Sequence, residues 1–159
     1  RRVSKETVPE PEVVLVMNRF GKIVGHTLGN DLSCRDIEGE NPLYQPQAKL
    51  WLHSTVIGPH LNLWKEDPKE FQLRMKITRN NQEVFFGETS TRNMSRTFEE
   101  LRDYLFRFRE FSDGVYLFTG TGIIPPDNFA LQSGDLVEIS ESNTGTLRNK
   151  PGMLESEAS

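Results

Sequence analysis

The chain has 159 residues, of which 35% are hydrophobic, enough for one domain with a sizeable core or for a large piece of one. Nineteen basic residues against twenty-three acidic leave a net charge of −4, and the signs are mixed without a basic stripe, which argues against nucleic acid as a partner. There is no long apolar run and no charged-then-apolar leader, so no spanning helix and no secretion are expected, and the single cysteine, Cys34, suits a reducing, cytoplasmic setting.

The first regular stretch is Glu12 to Met17, whose β-branched and apolar residues predict a buried strand with Val14 and Val16 directed to the core. Asn18-Arg19-Phe20-Gly21 reads as a turn, and residues 22–28 as a second strand returning beside the first. From Asn30 to Pro59, Gly39, Pro42 and Pro46 interrupt any long element, which predicts a loop-rich segment of the kind that carries function. Residues 71–78 alternate apolar and polar with period two, Arg79-Asn80-Asn81 supplies a turn, and residues 83–88 return, giving a hairpin with one wet face. Thr97 with Glu100 is a capping box, and Phe98, Leu101, Leu105 and Phe108 recur at helical spacing behind it. Residues 114–118 and 136–140 read as late strands, separated by the glycine-rich turn at 119–122 and by Ser133-Gly134-Asp135. Residues 150–159 have the composition of a disordered tail. The class is mainly β (α+β) with one amphipathic helix.

On a strand, residues two apart share a face, so Glu10 and Glu12 point the same way. Two carboxylates side by side, joined by Asp31 of Gly29-Asn30-Asp31, can converge on a hard cation, and oxygen-only donors suit Mg²⁺, Mn²⁺ or Ca²⁺ rather than Zn²⁺. The alternative is a pair of solvated residues at a strand entrance, which Pro11 tolerates. His26, His53 and His60 have no metal-ligand spacing and read as structural or surface residues. Thr119-Gly120-Thr121-Gly122 offers amides and hydroxyls to an anion or is an ordinary tight turn, and it lacks the Gly-Lys-Ser/Thr ending of a phosphate loop. Lys49 taken alone is a solvated lysine.

Read in order, Val8-Pro9-Glu10-Pro11-Glu12, residues 25–36 (GHTLGNDLSCRD), Lys49, Phe118-Thr119-Gly120-Thr121-Gly122, Ser133-Gly134-Asp135 and Gly145-Thr146-Leu147-Arg148-Asn149 form a series. That series resembles the catalytic domain of the fumarylacetoacetate hydrolase superfamily over about residues 8 to 149. Residues 37–44 (IEGENPLY) and Ala48-Lys49 are similar to the branch of 2-keto-3-deoxy-sugar-acid dehydratases.

The resemblance implies a mixed β-sandwich roll. It implies Glu10, Glu12 and Asp31 as ligands of a divalent cation, usually Mg²⁺, Lys49 as the active-site lysine, and Thr121 as a contact to the substrate carboxylate. Arg35 and Asp36 match a supporting pair behind the ligand loop. The substrate it implies is a small 2-oxo acid, reacting through a cation-stabilised enolate; dehydration, C–C hydrolysis, decarboxylation and isomerisation all share that logic. It also implies a homodimer. Family members carry a sizeable portion ahead of the Glu-Pro-Glu motif, so residues 1–149 are expected to be a partial, N-terminally truncated catalytic domain, from a longer gene product or a short paralogue, active or binding without turnover.

Overall fold

The computed structural model describes residues 4–66, 68 and 70–152. Its centre is a pair of antiparallel strands, β2 (Pro11–Met17) and β3 (Ile23–Asp31), in the register Pro11–Asn30, Glu12–Gly29, Val13–Leu28. The turn between them is set locally: the Asn18 side-chain oxygen accepts from the N–H groups of Phe20 and Lys22, both at 3.0 Å, and Gly21 takes φ of 77°, a left-handed value that glycine adopts without strain. The edge strands of this four-stranded sheet are β5 (Thr55–Leu63) beside β3 and β8 (Val115–Phe118) beside β2.

A second four-stranded sheet has the order β10 (Gly145–Asn149), β9 (Leu136–Glu141), β6 (Gln72–Arg79) and β7 (Gln82–Ser90). A two-stranded ribbon of β1 (Thr7–Val8) and β4 (Ser33–Cys34) holds the entry to β2 against the exit from β3. The expected β-sandwich roll takes this form, and every strand pairing among the described residues is antiparallel.

The two large sheets enclose one apolar core. Val13, Leu15, Met17 and Leu28 meet Leu73, Met75, Ile77, Val137 and Ile139 there. Period-two alternation places the β6 residues, with Leu73, Met75 and Ile77 inward while Arg74 and Lys76 pair outward with Glu88 and Glu138. On β2 the sequence gives no such phase, because both faces of the strand are covered. Val14, expected to lead into the main core, is fully buried but on the opposite face, against Gly29 and Phe118.

Helix α3 (Phe98–Phe106) starts at the predicted capping box, with Thr97 Oγ1 accepting from the Glu100 N–H at 3.1 Å and Glu100 accepting from the Thr97 N–H at 2.7 Å. Phe98, Leu105 and Phe106 pack on the core, whereas Phe108 lies beyond the helix end and is 93% exposed, contrary to its expected place on the buried stripe.

The segment expected to be irregular holds more structure than its prolines indicate. β3 runs on to Asp31, α1 (Arg35–Glu38) and α2 (Gln45–Lys49) follow, and β5 contains Pro59. An edge strand accommodates a proline because one row of its N–H groups faces away from the ladder. The expected tail falls mostly on residues 153–159, outside the described residues; Lys150, Pro151 and Gly152 belong to no regular element.

Two polar links fasten the fold, the first between the sheets and the second within one of them. Trp64 Nε1 donates to His26 Nδ1 at 2.7 Å, so His26 is neutral with its proton on Nε2, which faces Thr144 Oγ1 at 2.8 Å; that hydroxyl donates to Glu141 at 2.9 Å. His26 is therefore a structural histidine.

Asp135, with no exposure, accepts from Arg79 through both carboxylate oxygens at 2.8 Å and from the Gln132 N–H at 2.9 Å. Burial disfavours the Asp135 charge, but the Arg79 guanidinium and the Gln132 N–H outweigh it, and the carboxyl is held below its ordinary value. An acid with a depressed folded-state pKa adds stability above its unfolded pKa, and that stability is lost as pH falls through the folded value. Asp135→Asn is expected to cost about 2–3 kcal/mol in urea denaturation at neutral pH. The gap to wild type should then close under acid; a gap unchanged at low pH would show that the pair is not the cause. Thr97→Ala, losing half of the capping box, is expected to cost about 1 kcal/mol in the same measurement.

Candidate metal centre

The β2–β3 register decides where the acidic residues go. Glu12 pairs with Gly29, and Asp31 N–H donates to the Glu10 carbonyl at 3.0 Å just beyond the Pro11–Asn30 pair. Glu10, Glu12 and Asp31 thus fall on the face away from the main core. One carboxylate oxygen from each lies within 4.8 Å of the others. The structure brings these three predicted residues together.

Their environments differ. Glu10 and Asp31 side chains are about one-fifth exposed, at 23% and 22%, whereas Glu12 is 4% exposed. Burial, above all, pushes the Glu12 carboxyl up to about 7; the Gly120 N–H, donating at 2.5 Å, pulls it down, Asp31 and Glu10 push it up, and Lys49 pulls it down. A nearly buried carboxylate beside two others is costly unless positive charge joins it. All donors are oxygens, so the chemistry of the set fits a hard divalent cation such as Mg²⁺.

Lys49 ends α2, whose neighbouring Ala48 is fully buried and anchors the helix. Its Nζ donates to Glu10 at 2.6 Å and lies 3.0 Å from Asp31 Oδ2. Burial works to lower the ammonium's pKa, but the Glu10 and Asp31 carboxylates prevail and hold it above its ordinary value.

The Thr119–Gly122 turn meets the cluster through Gly120. Thr119 Oγ1 donates to the Val13 carbonyl at 2.8 Å, and the Gly120 N–H reaches Glu12, so the turn is tied to β2 at two successive residues. Thr121 uses its hydroxyl within the turn, accepting from the Ile123 N–H at 3.2 Å. A cavity of about 250 Å³ borders this turn, lined by Val13, Thr89, Arg96 and Thr121 among others, and none of the three carboxylates lines it.

Arg35 and Asp36 touch neither the carboxylates nor Lys49 in any described contact. Arg35 donates to the Pro125 and Pro126 carbonyls, at 2.5 and 3.1 Å, fixing the loop after Gly122. Asp36 accepts from the Ser4 hydroxyl at 2.6 Å and the Lys5 N–H at 3.1 Å, fixing the chain that leads to Glu10. Each thus holds a segment adjoining the cluster rather than the cluster itself.

Three contributors carry no acidic or basic signature. Thr55 Oγ1 faces Asp31 Oδ1 at 3.4 Å, the Gly120 amide serves Glu12, and Asn30 is wholly buried behind the sheet. The alternation His26, Leu28, Asn30, with an amide where an apolar side chain is expected, is the only one of these signals legible in the sequence.

The chain is 43% identical over 148 residues to a probable 2-keto-3-deoxyxylonate dehydratase of Haloferax volcanii, covering 92% of this chain and 51% of that protein. It is 41% identical to a 2-dehydro-3-deoxy-D-arabinonate dehydratase of Saccharolobus solfataricus, covering 92% of this chain and 50% of that protein. Among solved structures, a 2-keto-3-deoxy-D-arabinonate dehydratase complexed with magnesium and 2,5-dioxopentanoate superposes with a TM-score of 0.89 at 40% identity, over 92% of this chain and 53% of that one. The apo form of a 2-keto-3-deoxy-D-arabinonate dehydratase gives 0.92 at 38% identity, over 96% and 55%. The chain spans about half the length of the curated relatives it matches. Residues 4–150 match the model for the fumarylacetoacetate (FAA) hydrolase C-terminal domain, and the chain belongs to that family.

Proposed function

We propose that this chain provides the metal-binding part of an enzyme that dehydrates a 2-keto-3-deoxy sugar acid. The observation that carries the reading is the convergence of Glu10, Glu12 and Asp31 within 4.8 Å, with Lys49 Nζ on two of them. The likeness to a dehydratase whose structure holds magnesium and a 2-oxo acid supports it. In this reading residues 1–149 act as one partial catalytic domain of a cytoplasmic enzyme, and a homodimer is its assembly.

Glu10, Glu12 and Asp31 would hold Mg²⁺. Such a cation, when bound, supplies Lewis-acid stabilisation of negative charge on a 2-oxo acid. The chain's own groups do the rest. The Thr119–Gly122 turn, with Thr121, receives the substrate carboxylate, and the Gly120–Glu12 bond keeps that turn at a fixed distance from the acidic residues. Lys49 holds a proton on Nζ at the edge of the cluster: once a base has taken the proton from the carbon next to the ketone, the ammonium stabilises the resulting negative charge and gives its proton to the departing β-hydroxyl, which leaves as water, and the base then returns a proton to Nζ. Arg35 and Asp36 keep the two entering segments in place.

Magnesium at about 100 times its Kd is expected to stabilise the chain by about 2.7 kcal/mol, a rise of roughly 5–10 °C in thermal midpoint. Glu12→Gln, which preserves the acceptor for Gly120, should weaken binding by roughly 10–100-fold in calorimetric titration. An unchanged Kd would remove Glu12 from the ligand set.

Lys49→Met is expected to lower Mg²⁺-dependent product formation by roughly 10²–10⁴-fold. It should leave the Mg²⁺ Kd unchanged or tighter, since a competing positive charge is gone. Assays of the wild-type chain on several 2-keto-3-deoxy sugar acids, with Mg²⁺ and with EDTA, test the reaction itself. Metal binding without any Mg²⁺-dependent product would replace the dehydratase reading with that of a binding protein lacking turnover.

A further inference from the structure

The three residues of Gly29-Asn30-Asp31 divide their work between two faces of the sheet. Gly29 leaves room on the outer face: a Cβ there would stand 2.4 Å from the Phe118 ring and 2.5 Å from Val14 Cγ2. Asp31 carries its carboxylate on that same face. Asn30 points the other way, into the space between the sheets, where its exposure is 0%.

A wholly buried amide is costly unless both its ends are used. Asn30 uses both. Its side-chain oxygen accepts from the Glu10 N–H at 3.1 Å, and its Nδ2 donates to Asn149 Oδ1 at 3.3 Å. These partners fix the amide's orientation, because a main-chain N–H can only donate.

Glu10 needs such a partner for a reason visible in the chain. It lies between β1 and β2, outside either strand, and the residue after it is proline. Its carbonyl is held by the Asp31 N–H, and its own N–H is held by Asn30. Both main-chain groups of Glu10 are thereby fastened to the strand that bears Asp31. Asn149 belongs to β10 in the other sheet, so the bond from Asn30 extends the fastening across the core.

We propose that Asn30, held by Asn149, is a positioning residue that sets the Glu10 carboxylate relative to Asp31 for a divalent cation. It acts through the Glu10 main chain and touches no cation, lying on the opposite side of the sheet. This inference rests on the reading of Glu10, Glu12 and Asp31 as the metal ligands.

The test is Mn²⁺ binding followed by electron paramagnetic resonance, with Mg²⁺ calorimetry alongside, on the full chain. The variants are Asn30→Ala, Asn149→Ala and, as a control, Thr144→Val. Thr144 is also buried between the sheets but serves the His26–Glu141 link. Asn30→Ala is expected to raise the Mn²⁺ Kd by roughly 10-fold or more and to broaden the bound-Mn²⁺ spectrum. Asn149→Ala should raise it by a smaller factor, and as a half-buried site it serves where Asn30→Ala does not fold. Thr144→Val should lower the thermal midpoint in EDTA yet leave the Kd at the wild-type value.

Equal Kd values for wild type, Asn30→Ala and Asn149→Ala would overturn the positioning role while leaving the ligand assignment standing. So would a Thr144→Val variant that weakens metal as much as Asn30→Ala, since general loosening would then explain both. A wild-type chain that binds neither Mn²⁺ nor Mg²⁺ would instead remove the ligand assignment, and this inference with it.

Discussion

The pairing of β2 with β3 is the constraint on which everything else rests. Side chains alternate faces along a strand, so a slip of one residue in this ladder would carry Asp31 to the face opposite Glu10 and Glu12. The register is held by features away from the three carboxylates. The Asn18 turn fixes one end, the fit of Val13, Leu15 and Leu28 into the core fixes the middle, and the β1–β4 ribbon fixes the other end. The centre is thus a by-product of packing that has been made exact by a hydrophobic core on the reverse side of the same strands.

The electrostatics follow from that geometry. Three carboxylates held close repel one another, and the nearly buried Glu12 has lost most of its hydration as well. Among the described residues the fold answers with the Gly120 amide, the Lys49 ammonium and, at longer range, the Thr55 hydroxyl. Lys49 contacts Glu10 and Asp31 directly, leaving Glu12 with the amide as its nearest partner. Burial raises the Glu12 carboxyl, and the amide and the Lys49 ammonium do not offset it.

Much of this was legible in the sequence, and the losses have physical causes. The capping box at Thr97, the hairpin at 71–88 and the Glu-Pro-Glu motif each announce themselves through local pattern. β5 was hidden by Gly58 and Pro59, which an edge strand tolerates and a central one does not. The inward face of β2 was misassigned because Val13, Val14 and Leu15 are all buried, and a strand covered on both sides has no polar residue to mark its phase. Arg35 and Asp36 have the charge of site residues but spend it on Pro125, Pro126, Ser4 and Lys5, contacts between segments some thirty to ninety positions apart. Nothing local in sequence reports such contacts. The Gly120 amide carries no side-chain signature at all.

That amide has a consequence for how the chain tolerates change. A hydrogen bond made by a side chain disappears with the side chain, but the donor on Glu12 belongs to the backbone and survives every replacement at position 120 except proline. The position is nevertheless selective. There is open space around its missing Cβ, yet its φ of 92° is a value that L side chains rarely adopt. Replacement there would meet no steric wall and would still bend the turn, so damage at residue 120 would travel as a change in backbone path, moving Thr119 and the Glu12 contact together.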